Sequence, residues 1–357
     1  MHEEAPPIAT VNSLEIDPAL KQGLEPFFAS PVKGDQFCNP WEHEVHRSFR
    51  DVLRWKLQSR GNRGQRSERP RVPVFSDAAS VLAGLSHRCR LWWLGHASFY
   101  VELDGLRIMI DPIIGKIGGF IKRLTPLPVP VDCLPTPEVV LLTHGHFDHT
   151  DAATIRLLCA KAERDILFVV PRGLSAVLPR CCRRVVELSW WESLQVGGVQ
   201  VVLVPAQHWH RRALRDEDRS LWGGYVLRAS CTLYHSGDTA FFGGFEAIAR
   251  VFGAIDLACL PIGAYEPRWF MGGQHMAPEE ALRAFRILGA AHFVAMHWGT
   301  YQLSDEPIDA GPQLLNGHCQ REEPSLRQRI HVLQPGGVIG YSRGEPLVAV
   351  GVLPEWR

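Results

Sequence analysis

Three histidines and one aspartate fall within six consecutive positions, His144-Gly145-His146-Phe147-Asp148-His149. Imidazole nitrogen and carboxylate oxygen are, besides thiolate, the ligands that zinc takes. His144 and His146 can reach one ion as the chain turns, while Asp148 and His149 address a second. Four ligands in so short a span do not complete a two-metal site. The chemistry therefore demands more His and Asp further along.

Three later positions answer that demand. His208 follows the mostly apolar run 199–204, Asp238 follows Leu233-Tyr234-His235, and His297 follows Phe293-Val294-Ala295-Met296. Each lies just past the carboxyl end of an expected strand, the edge where open α/β sheets collect their ligands. The first cluster is placed the same way. It follows Val139-Val140-Leu141-Leu142, too short for a helix and rich in valine, and precedes a helical pattern from Ala152 to Ala162. His96 and Asp111 also stand at strand ends, where second partners orient ligating imidazoles.

The elements that must position these groups read as regular α/β from Leu91 onward. Leu91 to Leu103 is an expected strand, and Asp104-Gly105 turns it into Leu106 to Ile110. Helices are expected over 152–164, 173–179, 244–252 and 278–288. Strands are expected over 166–170, 185–190, 199–204, 222–229, 231–236, 257–262 and 292–297. Pro278, with Glu279 and Glu280 in the first turn and Gly289 at the stop, suits a helix with those bounds. Val332 to Tyr341 reads as a closing hairpin through Gly336-Gly337. Two runs of strands with their own helices imply two sheets packed face to face, with helices outside. Ahead of this domain (86–345) lies an amino-terminal segment (1–85), and a tail (346–357) follows. Residues 1 to about 37 read as an extended arm. From Trp41 to Arg60 a helix carries Phe49, Val52 and Leu53 on one face beside arginines and Trp55, a pattern that suits packing on the domain or a lipid surface. Residues 60–71, rich in glycine and charge, read as a linker.

Composition bounds the partners. Of 357 residues, 46% are hydrophobic, enough for a large core, and 38 basic residues balance 38 acidic ones, which disfavours nucleic acid. No run of 18 apolar residues is present, the acidic start is unlike a signal peptide, and nine cysteines without a C-x-x-C pair fit reduced thiols in a cytoplasmic setting.

The pattern H-x-H-x-D-H, with His208, Asp238 and His297 behind it, resembles the metallo-β-lactamase fold. Trp93-Leu94-Gly95-His96-Ala97, Gln207-His208-Trp209, Ser236-Gly237-Asp238-Thr239, Tyr265 to Met271, Gln274-His275 and Met296 to Thr300 look like its branch of N-acylphosphatidylethanolamine-hydrolysing phospholipases D; Asn39-Pro40-Trp41 extends the likeness toward the amino terminus. The resemblance implies an α/β, αββα sandwich with an amino-terminal extension. It implies two Zn2+ per chain, one on His144, His146 and His208, the other on Asp148, His149 and His297, with Asp238 bridging. Such a pair lowers the pKa of a bridging water and offsets charge on phosphorus. Asp148, Asp238 and His275 are the catalytic residues this implies, His275 bonding substrate or leaving group, and Gln274, Tyr265 and Arg268 are the substrate contacts. The implied reaction converts an N-acylated phospholipid to phosphatidic acid and an N-acylethanolamine. A phospholipid, peripheral contact with the inner face of a membrane and a homodimer are the expected partners. The excursion Ile113 to Arg123, apolar and flanked by bases, is a candidate lodging for acyl chains. A lactonase or small phosphodiesterase on the same metals, a non-catalytic metal-stabilised binder and an RNA-trimming nuclease remain as other readings.

Overall fold

Leu91-Trp92-Trp93-Leu94 is buried on both faces of its strand in the computed structural model of the protein, which describes residues 10–41, 49–61, 72–213, 215–322 and 324–356. Side chains alternate across a strand, so Leu91 and Trp93 enter the core between two sheets, while Trp92 and Leu94 pack beneath the outer helices. Val139 and Leu141 against Val140 and Leu142 divide in the same way. Burial on both sides explains why these runs are continuously apolar and do not alternate with polar residues.

Two sheets of eight strands form the sandwich. The first runs in the order Val348–Val352, Leu333–Tyr341, Cys89–Gly95, Ser98–Leu103, Leu106–Ile110, Val139–Leu141, Leu167–Pro171, Arg184–Leu188. The second runs Asn12–Ser13, Glu192–Val196, Val199–Val204, Gly224–Arg228, Thr232–His235, Leu257–Pro261, His292–Met296, Ile330–His331. Each is antiparallel along its first half and parallel from its fifth strand on. Helices Ala152–Lys161, Gly244–Phe252 and Pro278–Leu288 connect the parallel strands. Asp151 caps the first of them, accepting from the amides of Ala153 and Thr154. Gly289, at φ 60°, closes the third. This is the α/β sandwich expected from the sequence.

Several expectations require correction. Residues 91–103 form a hairpin, not one strand, because Gly95 and His96 adopt positive φ (99° and 56°) and reverse the chain. Leu333–Tyr341 is one continuous strand, not a hairpin: Cys89 to Trp92 pair along it on one side and Val348 to Val350 on the other. Gly336 and Gly337 sit in its irregular stretch, where a Cβ on Gly336 would lie 1.9 Å from the carbonyl oxygen of Phe75. Residues 348–352, expected as tail, are thus an edge strand. The arm is also built in, since Asn12 and Ser13 pair with Ser193 and Glu192. Helix Ala78–Gly84, helix Ala310–Glu322 and strand Glu192–Val196 went unforeseen. The helix Phe49–Gly61 turns Trp55 inward and leaves Leu53 and Leu57 exposed. Residues 60 and 61 of the expected linker are helical, and 62–71, like 42–48 of the expected helix, lie outside the described residues.

Candidate metal centre

Every sequence-predicted ligand arrives at one edge of the sandwich. His144, His208, Asp238 and His297 each follow a strand directly or within four residues, as do Asp111 and Ala264. Loop geometry there is tight. A Cβ on Gly145 would lie 2.1 Å from the ring of His210, and one on Gly263 would lie 2.1 Å from the carbonyl oxygen of His297. His96, Asp111, Ala264 and His297 all hold positive φ, a conformation costing non-glycine residues about 1–3 kcal/mol each and concentrated at functional sites.

The imidazoles and carboxylates converge. Ligand atoms of His144, His146 and His208 lie within 4.8 Å of one another, as do those of His96, Asp148, His149 and His297. Asp238 stands between the groups: its Oδ2 is 3.1 Å from His149 Nε2 and 3.9 Å from His144 Nε2, and its Oδ1 is 3.1 Å from His297 Nε2. His208 Nε2 is 3.1 Å from His146 Nδ1.

Outer contacts decide which nitrogen faces inward. Asp111 accepts from the Thr143 amide (2.7 Å), the Thr143 hydroxyl (2.5 Å) and His149 Nδ1 (2.7 Å). Because the Thr143 hydroxyl spends its proton on Asp111, its contact of 3.0 Å with His144 requires Nδ1–H to donate. His208 Nδ1 likewise donates to the Gln274 carbonyl at 3.1 Å. Each Nε2 lone pair is therefore turned into the centre. Buried there without a hydrogen-bond partner are Nε2 of His144, His149 and His297, and Oδ1 of Asp238, while His146 turns Nδ1 toward His208. Buried polar atoms are normally paired. Such atoms, converging from three loops, fit one or more cations.

Electrostatics agree. Burial holds His144, His146 and His208 below their usual range, His146 at about 3, so these imidazoles are neutral and able to donate a lone pair to a cation. Burial also opposes charge on His149 and His297, but Asp238 and Asp148 overcome it and raise both, His297 to about 9. Against their own burial, Asp148 and Asp238 stay well below the usual carboxylate range, His149 contributing most. A site with this much coupled charge is built for a cation.

His275 and Gln274 line the cleft outside this centre, together with Trp55, Trp209, Met271 and Leu303; its volume is about 220 Å³. His275 Nδ1 is 3.8 Å from Asp238 Oδ2. The other two expected substrate contacts lie elsewhere. Arg268 donates to Glu280 (2.7 Å) and to the His275 carbonyl (3.1 Å), so it fastens the loop that carries His275 and does not enter the cleft. Tyr265 is 4% exposed behind Ala264, its amide held by Glu306.

Sequence reasoning missed much of the support. His96 does more than orient an imidazole: its Nε2 is 3.0 Å from Asp148 Oδ2, and its ring lies 4.0 Å from that of His297. Asn39 Nδ2 donates to the His208 carbonyl (2.9 Å), and its Oδ1 accepts from Trp222 (3.2 Å). Arg212 donates to the carbonyls of Gly145 and Thr150, clamping the first cluster. Trp55 donates to Asp305 (2.9 Å) and stacks on Phe270 at 4.8 Å. The Asn39-Pro40-Trp41 match and the tryptophan in the helical pattern were the only signals for such contacts. His210 packs against Gly145, its amide donating to Asp218 (2.9 Å), and so backs the cluster. The excursion turns Ile113 and Ile117 inward against Tyr301 and exposes Phe120.

The model of the beta-lactamase superfamily domain matches residues 106–298, more than half the chain. N-acyl-phosphatidylethanolamine-hydrolyzing phospholipase D 1 of Caenorhabditis elegans is 33% identical over 256 residues, 66% of this chain and 72% of that protein. The mitochondrial N-acyl-phosphatidylethanolamine-hydrolyzing phospholipase D of Saccharomyces cerevisiae is 36% identical over 228 residues, 60% of this chain and 48% of that one. The structure of an isothiocyanate hydrolase from Delia radicum gut bacteria, 20% identical, superposes with a TM-score of 0.57 over 71% of this chain and 99% of its own, a likeness of fold.

Proposed function

The chain belongs to the beta-lactamase superfamily of metal-dependent hydrolases, and we propose that it is a zinc phosphodiesterase of phospholipase D type acting on N-acylphosphatidylethanolamine. The carrying observation is the setting of the ligand edge. The convergent donors open into a cleft walled by Trp55, Trp209 and Met271. Exposed Leu53, Leu57, Trp269 and Phe147 lie on or beside segments that line it, with Arg54 over the Trp269 ring (4.6 Å) and Arg212 over that of Phe147 (4.1 Å). Apolar side chains interleaved with bases suit peripheral contact with an anionic lipid surface. Among the described residues no helix is long and apolar enough to cross a membrane. The names of the two phospholipase relatives point to the same substrate.

In this reading His144, His146 and His208 hold one zinc, Asp148, His149 and His297 the other, and Asp238 serves both. When bound, the pair supplies Lewis acidity at a phosphoryl oxygen and lowers the pKa of water. Water oxygen bonds to phosphorus, the bond from phosphorus to the ethanolamide oxygen breaks, and the leaving oxygen takes a proton. In this reading His275 takes that proton from the attacking water and passes it to the leaving oxygen. Burial lowers its pKa to about 4, so the ring is neutral, and its Nδ1 has no partner among the described residues. Trp55 and Trp209 exclude water from the acyl side of the headgroup, and Gln274 holds His208 through its carbonyl.

Zinc-loaded protein in mixed micelles with N-acylphosphatidylethanolamine tests the reading. Release of phosphatidate and N-acylethanolamine by the parent, and not by His146→Ala or Asp238→Asn, supports it. The modest cleft volume favours one other reading, a lactonase or small phosphodiesterase. Turnover of a water-soluble diester or lactone without any lipid turnover would replace the first reading with that one.

A further inference from the structure

Three of the nine cysteines meet away from the cleft. Cys159 lies near the end of the helix Ala152–Lys161. Cys181 and Cys182 lie in the turn before the strand Arg184–Leu188, where the Cys182 amide donates to the Pro179 carbonyl at 3.0 Å. The three sulfurs are within 4.8 Å of one another, and each residue is half-buried at the margin of the core beneath that helix. We propose that Cys159, Cys181 and Cys182 form a three-thiolate site for a soft, thiophilic ion, separate from the imidazole and carboxylate centre.

Donor type selects the ion class. Among the described residues no imidazole or carboxylate joins this group, and all-thiolate sets choose soft ions, whereas the cleft offers nitrogen and oxygen. Spacing agrees. Three sulfurs at about 2.3 Å from a central ion stand about 4 Å apart in a trigonal plane, so small rotations of these side chains suffice. A structural zinc takes four ligands; a three-donor set instead suits ions content with three sulfurs, such as trivalent arsenic, Cu(I) or Hg(II). Two donors adjacent in the chain and a third from a helix tie the ion to two elements, which makes the site a chelate. The thiols stay protonated until an ion displaces the protons: burial and the neighbouring Cys181 raise Cys159 to about 12. With arsenite the exchange balances without redox change: three S–H and three As–OH groups become three As–S bonds and three waters.

Arsenite is the probe, because it bonds thiols and leaves imidazole and carboxylate sites alone. Titration of the full chain, followed by the ultraviolet As–S absorption and by native mass spectrometry, is expected to saturate at one arsenic per chain. Cys159→Ser, Cys181→Ser and Cys182→Ser, each checked for fold by circular dichroism, are each expected to weaken binding by about a hundredfold or more through loss of one chelate arm. Cys133→Ser, at an exposed cysteine outside the group, leaves it unchanged. Parent-like affinity in any folded variant of the three overturns the proposal, as does a disulfide among these residues in freshly purified protein. Hydrolase activity is not the readout, so the outcome is independent of the proposed substrate.

Discussion

Asp111 Oδ2 lies 2.7 Å from His149 Nδ1, and the same carboxylate receives both the amide and the hydroxyl of Thr143. One wholly buried side chain thereby fixes the ring of His149 directly and that of His144 through Thr143. Asp111→Asn keeps the volume but presents an amide to donors that need an acceptor. Metal affinity is expected to fall about 10–100-fold, measured by competition with a chelator of known affinity, with the fold retained by circular dichroism.

Asn39 makes the parallel case from the start of the chain. Asn39→Ala removes the donor to the His208 carbonyl and one of two acceptors of the Trp222 N–H, which keeps the Ala206 carbonyl at 3.0 Å. A buried carbonyl deprived of its donor costs about 1–3 kcal/mol, so thermal unfolding should shift down. Metal affinity should fall with it, while the exposed neighbour variant Gln36→Ala changes neither.

Trp55 joins the helix Phe49–Gly61 to the cleft through Asp305 and Phe270. Trp55→Phe keeps the stacking, worth about 0.5–1.5 kcal/mol, but loses the hydrogen bond; Trp55→Ala loses both. Lipid turnover should decline in that order through KM, with metal content unchanged. Equal loss of metal in both variants would show that the helix supports the centre itself.

Ligand binding to the folded state alone stabilises by mass action. Zinc at one hundred times its dissociation constant should add about 2.7 kcal/mol, read as a rise in the unfolding midpoint that chelator reverses. His208→Ala should cut both the rise and the bound zinc.

Acid sensitivity has a component remote from the metals. His331 is held to about 3 by burial, with His292 3.1 Å away. Unfolded histidine takes a proton near 6.5, so between about 6.5 and 3 the unfolded chain binds more protons than the folded one. Stability from this residue is full above that window and declines as pH falls through it. His331→Gln should flatten the dependence of the unfolding midpoint on pH between about 6 and 4.

The ligand set was readable because each member follows an apolar run that can only be a buried strand, and because few chemistries need so many imidazoles and carboxylates at strand ends. The helices 244–252 and 278–288 match their observed bounds for a similar reason: glycines bound the first, and Pro278 and Gly289 bound the second. What escaped depends on distance along the chain. Nothing local to Asn39 announces a bond to residue 208, and Arg268 reads as a substrate contact until Glu280 closes on it. Residues 333–341 contain two glycines that look like a turn, yet the close approach of Phe75 is what requires Gly336. Sheet partners, not local propensity, decided that stretch.

The donors that meet at Asp238 come from residues 144 to 297, and the loop bearing His208 is fastened from residue 39. A nascent chain emerging from the ribosome therefore owns no complete ion pocket until nearly all of the second sheet has been synthesised and docked. Loading must follow folding, and an ion offered early finds only scattered, weak sites. Maturation of this protein is expected to be gated by assembly of the sandwich and not by the supply of metal.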